Sequence, residues 1–426
     1  MSYISVIGGN TLEGEILLQG SKNAVLPILA ASVLCDEPVE IRNCPDISDV
    51  RDLLHALSFA GVKSSFKGNC LEIDATKAEP FFFGPDHAGK TRGGVLLLGA
   101  FVGRFHEAGM AYPGGCVIGA RPIDFHCKVW RALQVITEER EDGILLKGTP
   151  KGGNIKLPYP SVGATENAIL TAVYGKGKTL VYGAAREPEV TELCRFLNLA
   201  GAKIRGIGSS VLEIEGVTGL HGISYTMTGD RIVAGTYLTA VAMTGGKIRI
   251  RNTKRVCMKG IFEPLRMAGV TVNRDCDSMV LQATGKPVPV KLLQTAPFPG
   301  FPTDMQSQIT ALLTLAEGES RIYETVFESR FGIVRELQKL GADVTRDGRY
   351  ILIRGGNKLR GARVHATDLR TGAALLLAGL AAEGETKVFG EEYIARGYEN
   401  ICGTLCALGA RIVHNNEIEE KTESRV

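Results

Sequence analysis

Basic residues occupy the first turn of four helices that the apolar pattern predicts. They are Lys22, Arg92, Arg231 and Arg370. Serine, threonine or aspartate closely precedes each one, as is typical of a helix N-cap. A cation there opposes the helix macrodipole at a cost of about 0.3–1 kcal/mol. The repetition predicts a polyanionic small molecule bound where these N-termini converge. The alternative is that water or acidic neighbours compensate the charge.

Three further residues have types that could do chemistry. Cys116 follows Gly114-Gly115, which indicates a flexible, exposed loop, and nearby Arg121 would favour the thiolate. An inert loop cysteine is the alternative interpretation. Asp304 lies in a predicted first helical turn, where a carboxylate can also be merely structural. Arg396 precedes a glycine in a predicted loop and means little alone.

One nucleotide-binding motif matches the sequence on paper. The stretch 84–91 fits GxxxxGK[ST], but Pro85 removes an amide donor and Asp86 places a negative charge in the phosphate cradle. Coincidence is therefore favoured, and a nucleotidase that acts through Lys90 is the alternative. The sequence has no GxGxxG, HExxH or GxSxG motif, and its seven histidines show no metal-ligand spacing. No metal site is therefore expected.

Composition excludes several classes of protein. The 426 residues carry 49 basic and 46 acidic side chains, which disfavours nucleic acid or an anionic membrane as a partner. No apolar stretch of about 18 residues predicts a membrane span, and the N-terminus lacks signal-peptide features. Ten scattered cysteines without a CxxC pair are typical of a reduced, cytoplasmic protein. The oligomeric state is left open.

The chain also repeats a helix-ending pattern in which an apolar pair surrounds a glycine. These glycines are Gly61, Gly201, Gly269, Gly341 and Gly409. They recur roughly every 70 residues, and the first gap is double, with a degraded copy at Leu133-Gln134-Val135. The period predicts an α/β chain of six internal repeats of about 70 residues, grouped three and three in two lobes. Composition does not tell which lobe the N-terminal strand around Ile4 joins.

Seven motifs, in order along the chain, resemble those of one enzyme family. They are Gly20-Ser21-Lys22-Asn23, Pro113-Gly114-Gly115-Cys116, Ile118-Gly119-Ala120-Arg121-Pro122, Ser161-Val162-Gly163-Ala164-Thr165, Ala185-Arg186-Glu187-Pro188-Glu189, Phe301-Pro302-Thr303-Asp304-Met305-Gln306 and Arg396-Gly397-Tyr398-Glu399. The family is that of UDP-N-acetylglucosamine 1-carboxyvinyltransferases, in the EPSP synthase superfamily. The resemblance implies an inside-out α/β barrel of two lobes, each of three similar βαβαββ units. Residues 1–21 plus 229–426 would form the C-terminal lobe, and residues 22–228 the N-terminal lobe with the Cys116 loop. The active site would lie between them.

The resemblance also implies a reaction. The enolpyruvyl group of phosphoenolpyruvate would pass to the 3′-hydroxyl of UDP-N-acetylglucosamine, through a tetrahedral intermediate and with loss of phosphate. This is the first committed step of peptidoglycan synthesis, and it needs no cofactor. Asp304 would be the base. Cys116 would be the acid, could carry a phosphoenolpyruvate-derived adduct, and would be the target of fosfomycin. Lys22, Arg121 and Arg396 would hold phosphoenolpyruvate.

By the same resemblance, a larger set of residues would line the substrate site. They are Lys22, Asn23, Arg92, Arg121, Pro122, Ile123, Asp124, Phe125, Ser161, Val162, Gly163, Asp304, Val326, Arg330 and Arg370. The chain departs from the family where Tyr159 replaces a common lysine and where Tyr393 and Ala395 replace a histidine and an aspartate. Two alternatives remain: a non-catalytic paralogue that binds a UDP-sugar, and an enzyme that uses shikimate 3-phosphate.

Overall fold

A computed structural model of the chain describes residues 2–88, 93–112, 123–283 and 285–416. The predictions for Lys90, Arg92, Cys116, Arg121 and Pro122 lie outside these ranges. The described strands are β1 (Ser2–Ile7), β2 (Leu12–Leu17), β3 (Val39–Arg42), β4 (Lys63–Lys67), β5 (Cys70–Asp74), β6 (Phe82–Phe83), β7 (Glu107–Ala111), β8 (Ile136–Glu139), β9 (Gly143–Lys147), β10 (Asn154–Lys156), β11 (Lys178–Tyr182), β12 (Lys203–Arg205), β13 (Val211–Glu215), β14 (Ser224–Thr226), β15 (Gly246–Arg251), β16 (Val272–Arg274), β17 (Ser278–Ala283), β18 (Leu293–Gln294), β19 (Gly318–Tyr323), β20 (Asp343–Asp347), β21 (Tyr350–Gly355), β22 (Arg363–His365), β23 (Glu385–Phe389) and β24 (Arg411–Asn416).

Helices alternate with these strands, and a 3-10 turn over Thr303–Met305 precedes one of them. The described helices are α1 (Lys22–Ser32), α2 (Ser48–Phe59), α3 (Pro85–Ala88), α4 (Gly94–Phe105), α5 (Asp124–Ala132), α6 (Val162–Ala172), α7 (Pro188–Leu199), α8 (Arg231–Thr244), α9 (Phe262–Met267), α10 (Gln306–Leu313), α11 (Gly332–Lys339), α12 (Leu369–Ala381), α13 (Glu391–Ile394) and α14 (Ile401–Ala407).

The strands form six four-stranded sheets that share one pattern. In the sheet ordered β10-β11-β13-β12, β10 runs parallel to β11, and the other two pairings are antiparallel. A helix connects the parallel pair, as a parallel connection requires. The architecture is therefore mixed α/β. In the described part of the chain, the sheets remain separate and do not close into one barrel.

Two strands near the N-terminus pair far along the sequence. Strand β1 lies between β23 and β24, and β2 pairs parallel to β15. Conversely, β14, which lies much later in the sequence, pairs parallel to β3. The chain therefore crosses between two groups of sheets twice, once near Gly20 and once near Gly229, and these glycines form an isolated bridge. A Cβ at Gly20 would lie 2.0 Å from the Asn43 carbonyl oxygen, so the crossing has no room for a side chain.

Buried apolar side chains form two separate cores. One contains residues between 24 and 227, and the other contains residues 4–18 and 232–410. Helices α1, α4 and α6 pack together in the first core, and α8, α10 and α12 in the second. These helices are buried on nearly every face, because other elements enclose them. The surrounding strands alternate between buried and exposed residues, so each sheet presents one face to solvent.

The degraded repeat has the same backbone geometry as the intact copies. Gly61 and Gly201 follow their helices with φ of 84° and 110°, and Gln134 occupies the corresponding place after α5 with φ of 60°. Glycine adopts this left-handed conformation without the steric cost that a side chain incurs. The missing glycine is therefore a substitution within a retained helix end. Among the described helices, none is long and apolar enough to cross a membrane.

Candidate active site

Three of the helix starts predicted from sequence are present in the described residues, at α1, α8 and α12, and their caps differ from one another. Asp230 caps α8 because its Oδ1 accepts from the backbone amides of Ile232 and Val233. Its Oδ2 accepts from the amide of Lys22, 2.9 Å away, so the same carboxylate also serves α1. Ser21, the residue expected to cap α1, makes no side-chain cap bond. Asp304 lies in the 3-10 turn just before α10 rather than inside the helix.

Protein carboxylates already partner three of the four helix-start cations. Lys22 Nζ lies 2.7 Å from Asp49 Oδ2. Arg231 Nε lies 2.9 Å from Glu189 Oε1, and Arg370 Nη2 lies 2.8 Å from Asp304 Oδ2. Acidic neighbours, the alternative to a bound anion, are therefore present at all three residues. A buried cation without a counter-ion would be costly.

Asp49 joins two predicted phosphoenolpyruvate ligands. This buried residue of α2 contacts Lys22 with one oxygen, and its Oδ1 accepts from Arg396 Nε at 2.8 Å. Burial would raise the pKa of the carboxyl, but Lys22 and Arg396 hold it below its ordinary value. Burial lowers the pKa of Lys22, and Arg370 adds to that effect, while Asp49 opposes it. Asp49 therefore helps to keep Lys22 charged.

Asp304 is an ionised carboxylate with three donors around it. Arg330 Nη1 lies 2.9 Å from Oδ1, and Oδ2 accepts from Arg370 Nη2 at 2.8 Å and from Asn23 Nδ2 at 3.2 Å. Burial would raise the pKa of this carboxyl, but Arg370 and Arg330 hold it well below its ordinary range. Its side chain is 23% exposed, so the carboxylate can still be approached.

A cavity of about 610 Å³ opens between elements of the two cores. This volume falls within the usual range of small-molecule sites. The predicted site residues that line it are Asn23, Ile123, Asp124, Phe125, Ser161, Val162, Gly163, Asp304 and Val326. Lys22, Arg330, Arg370 and Arg396 are not part of this lining, but each contacts Asp304 or Asp49.

Three glutamates in the cavity lining were not predicted from sequence as site residues. Glu166, Glu187 and Glu189 lie there beside Arg231. Burial raises the pKa of Glu166 well above its ordinary value, and the negative charges of Glu189 and Glu187 add to this. Burial likewise raises the pKa of Glu187. The sequence signal for Glu166 was an acidic residue within the apolar run of α6. Glu187 and Glu189 already belonged to one of the seven matched motifs.

Replacing Glu166 with glutamine is expected to stabilise the fold increasingly as pH rises. The folded protein binds the Glu166 proton more tightly than the unfolded chain, so wild-type stability falls as pH rises above the ordinary glutamate pKa. Glutamine removes that loss, which amounts to about 1.4 kcal/mol per pH unit until the raised pKa is reached. Urea unfolding at pH 5 and pH 8 measures the difference. The exposed Glu215→Gln is the control, and an equal gain at both pH values would contradict the prediction.

Comparisons with known proteins place the chain in a family. The profile described as EPSP synthase (3-phosphoshikimate 1-carboxyvinyltransferase) matches residues 6–405. UDP-N-acetylglucosamine 1-carboxyvinyltransferase 2 of Caldanaerobacter subterraneus subsp. tengcongensis is 43% identical over 97% of this chain and 99% of its own. The chain belongs to the UDP-N-acetylglucosamine 1-carboxyvinyltransferase family. A further UDP-N-acetylglucosamine 1-carboxyvinyltransferase, from Novosphingobium aromaticivorans, is 42% identical over the same shares of the two chains.

Solved structures agree with this family assignment. The enolpyruvyl transferase NikO from Streptomyces tendae matches with a TM-score of 0.89 and 27% identity, over 98% of this chain and 99% of its own. EPSP synthase from Acinetobacter baumannii matches with a TM-score of 0.77 over 98% of this chain and 100% of its own, and its 17% identity supports the fold alone.

Of the three residues that depart from the pattern of the UDP-N-acetylglucosamine 1-carboxyvinyltransferase family, one lies in the cavity lining. Tyr159 lines the cavity. Tyr393 lies in α13, and the carbonyl of Ala395 accepts from the amide of Ser48. Within the described ranges, no group of three or more histidine, cysteine, aspartate or glutamate side chains is arranged to hold a metal ion.

Proposed function

We propose that this protein transfers the enolpyruvyl group of phosphoenolpyruvate to the 3′-hydroxyl of UDP-N-acetylglucosamine and releases phosphate. The observation that carries the proposal is Asp304, an ionised carboxylate in the lining of a cavity large enough for a sugar nucleotide. The names of the relatives, which are 38–43% identical over nearly the whole chain, give the acceptor. The reaction would begin peptidoglycan synthesis, in the cytoplasm.

The proposed chemistry proceeds by addition and elimination. Asp304 accepts the proton of the 3′-hydroxyl, and that oxygen bonds to C2 of phosphoenolpyruvate while Cys116 protonates C3. The resulting tetrahedral species then loses a proton from C3 and expels phosphate, which restores the double bond. A carboxylate stabilised by two arginines is a weak base. Any arginine contact that moves from Asp304 to an anionic substrate would therefore make it a stronger base.

The cationic residues support the phosphoenolpyruvate part of the proposal. Lys22 and Arg396 share Asp49, and Arg370 lies close enough to Lys22 to lower its pKa. Together with Arg121, they would bind the phosphate and carboxylate and stabilise the charged intermediate by preorganised electrostatics. The chemistry needs no metal or redox cofactor, and Cys116 could carry an adduct derived from phosphoenolpyruvate.

The chain organisation fits a substrate cleft between two lobes of an inside-out α/β barrel. Each lobe would contain three βαβαββ units, with residues 22–228 in one and residues 1–21 plus 229–426 in the other. The two apolar cores support this division, because one spans residues 24–227 and the other combines residues 4–18 with 232–410. Asn23 from the first group and Asp304 from the second meet at 3.2 Å, which supports a reacting centre between the lobes.

Phosphate release from phosphoenolpyruvate tests the proposal. The purified protein is supplied with UDP-N-acetylglucosamine in one arm and shikimate 3-phosphate in the other, each with and without fosfomycin. Release is expected with the UDP-sugar alone and should be lost after fosfomycin treatment. The Cys116→Asp variant should keep activity and resist fosfomycin, because an acid of similar reach replaces the thiol. Release with shikimate 3-phosphate, or UDP-sugar binding with no turnover, would overturn the proposal.

A further inference from the structure

We propose that Glu324 is a positioning residue that fixes two walls of the acceptor site, the Val326 backbone on one side and the Arg330–Asp304 pair on the other. The inference rests on the proposed function, because it assigns Asp304 the role of base. Glu324 follows β19 directly, and its side chain is fully buried. Neither a sequence motif nor the cavity lining includes it.

The Glu324 carboxylate accepts four hydrogen bonds from three separate segments. Oε1 accepts from the amides of Val326 at 2.8 Å and Phe327 at 3.1 Å. Oε1 also accepts from the Thr295 hydroxyl at 2.9 Å, and Oε2 accepts from the Thr303 hydroxyl at 2.8 Å. A buried carboxylate is costly unless its oxygens are satisfied, so these donors hold it in one place and are held by it in turn.

One of these bonds continues to Asp304. Because the Thr303 hydroxyl donates its proton to Glu324, the hydroxyl oxygen can only accept, and it accepts from Arg330 Nη1 at 3.0 Å. The same nitrogen lies 2.9 Å from Asp304 Oδ1. Glu324 thus sets the direction of the Thr303 hydroxyl, and the hydroxyl sets where Arg330 meets Asp304.

A second connection runs through the backbone. The Phe327 amide donates to Glu324, and the guanidinium of Arg330 lies over the Phe327 ring, 5.3 Å from its centroid. Arg330 Nε is buried without a hydrogen-bond partner. The guanidinium is therefore positioned by its Nη contacts with Thr303 and Asp304 and by the Phe327 ring. Val326, Phe327 and Thr303 all line the cavity. Moving Glu324 would therefore disturb both the shape of the cavity and the surroundings of the proposed base, Asp304.

The test compares Glu324→Gln with Glu319→Gln, an exposed acid on β19 paired with Arg354. Glutamine keeps an acceptor for the two backbone amides but presents N–H to Thr303, so the hydroxyl must turn and Arg330 loses its place. We expect kcat to fall about tenfold. The acid limb of kcat/KM for UDP-N-acetylglucosamine should move to higher pH by about one unit, because Asp304 loses part of its stabilisation. Arg370, Arg231 and Asn23 still face Asp304 and limit the shift.

Thr303→Val provides an independent test that leaves Glu324 and its backbone bonds in place. It should shift the acid limb in the same direction, and Thr303→Ser should return it toward the wild-type position. An unshifted acid limb in both Glu324→Gln and Thr303→Val would overturn the inference. Failure of the wild-type protein to turn over the UDP-sugar would instead overturn the proposed function, so the two failures are distinct.

Discussion

Replacing Asp304 with asparagine is expected to lower kcat for enolpyruvyl transfer by roughly 10²–10⁴-fold, the usual contribution of a general base. Asparagine keeps an oxygen for Arg370 or Arg330 but cannot accept the proton of the sugar hydroxyl. Phosphate release at saturating concentrations of both substrates measures the loss. Binding of the UDP-sugar should persist, because the rest of the cavity lining is unchanged.

The same substitution should also weaken the fold. Arg330 and Arg370 are almost completely buried, with side-chain exposures of 6% and 3%, and both would lose their charged partner. We expect a loss of about 2 kcal/mol in the free energy of unfolding. Urea unfolding measures it, and Asp343→Asn is the control, because Asp343 is an exposed acid whose contact with Arg354 spans 4.0 Å. Full kcat in Asp304→Asn would remove Asp304 from the role of base.

Replacing Asp49 with asparagine is expected to raise the KM for phosphoenolpyruvate about tenfold and to move the alkaline limb of kcat/KM for this substrate to lower pH by about one unit. Asp49 opposes the burial that lowers the pKa of Lys22, so its removal lowers that pKa further. Since Lys22 loses its charge as pH rises through its pKa, activity should decline at a lower pH. Arg370 and Arg396, which also face Lys22, likewise lower its pKa.

Asp46→Asn is a matched control for this experiment. Asp46 lies three residues before Asp49, but its carboxylate pairs with Arg51 at the surface. Its pH profile should match that of the wild type. The KM for UDP-N-acetylglucosamine should change little in either variant, because neither side chain lines the cavity. An alkaline limb that stays in place in Asp49→Asn would show that Lys22 does not depend on this carboxylate for its charge.

The helix ends could be predicted from sequence because their signals are local. A glycine after an apolar helix marks a left-handed helix end, and even the copy that carries Gln134 keeps the period and the conformation. Which sheet each terminal strand joins is a long-range pairing, and nothing in β1 itself specifies β23 and β24 as its neighbours. The family resemblance implied only which lobe would contain this strand and did not name its neighbours.

Only part of the candidate site could be predicted, because its charged groups meet through long-range contacts. Cations at helix starts were visible, but their partners Asp49, Glu189 and Asp304 come from other elements, 27 residues or more away in sequence. The sequence therefore indicated the positive groups but did not show that carboxylates would lie beside them. Glu324 shows the limit most clearly, since its importance lies in four bonds that only the folded chain brings together.

The pairing of β1 with β24 brings the first and last described strands together, so the chain could be circularised. Ser2 and Asn416 are direct partners across these strands, so the two ends of the described fold lie side by side. A short linker could join them, and the ring could then be opened between Gly20 and Lys22. In that circular permutant, residues 22–228 would encode the first core and everything after them the second. One backbone crossing would remain instead of two, and the two cores would become consecutive segments of a single chain.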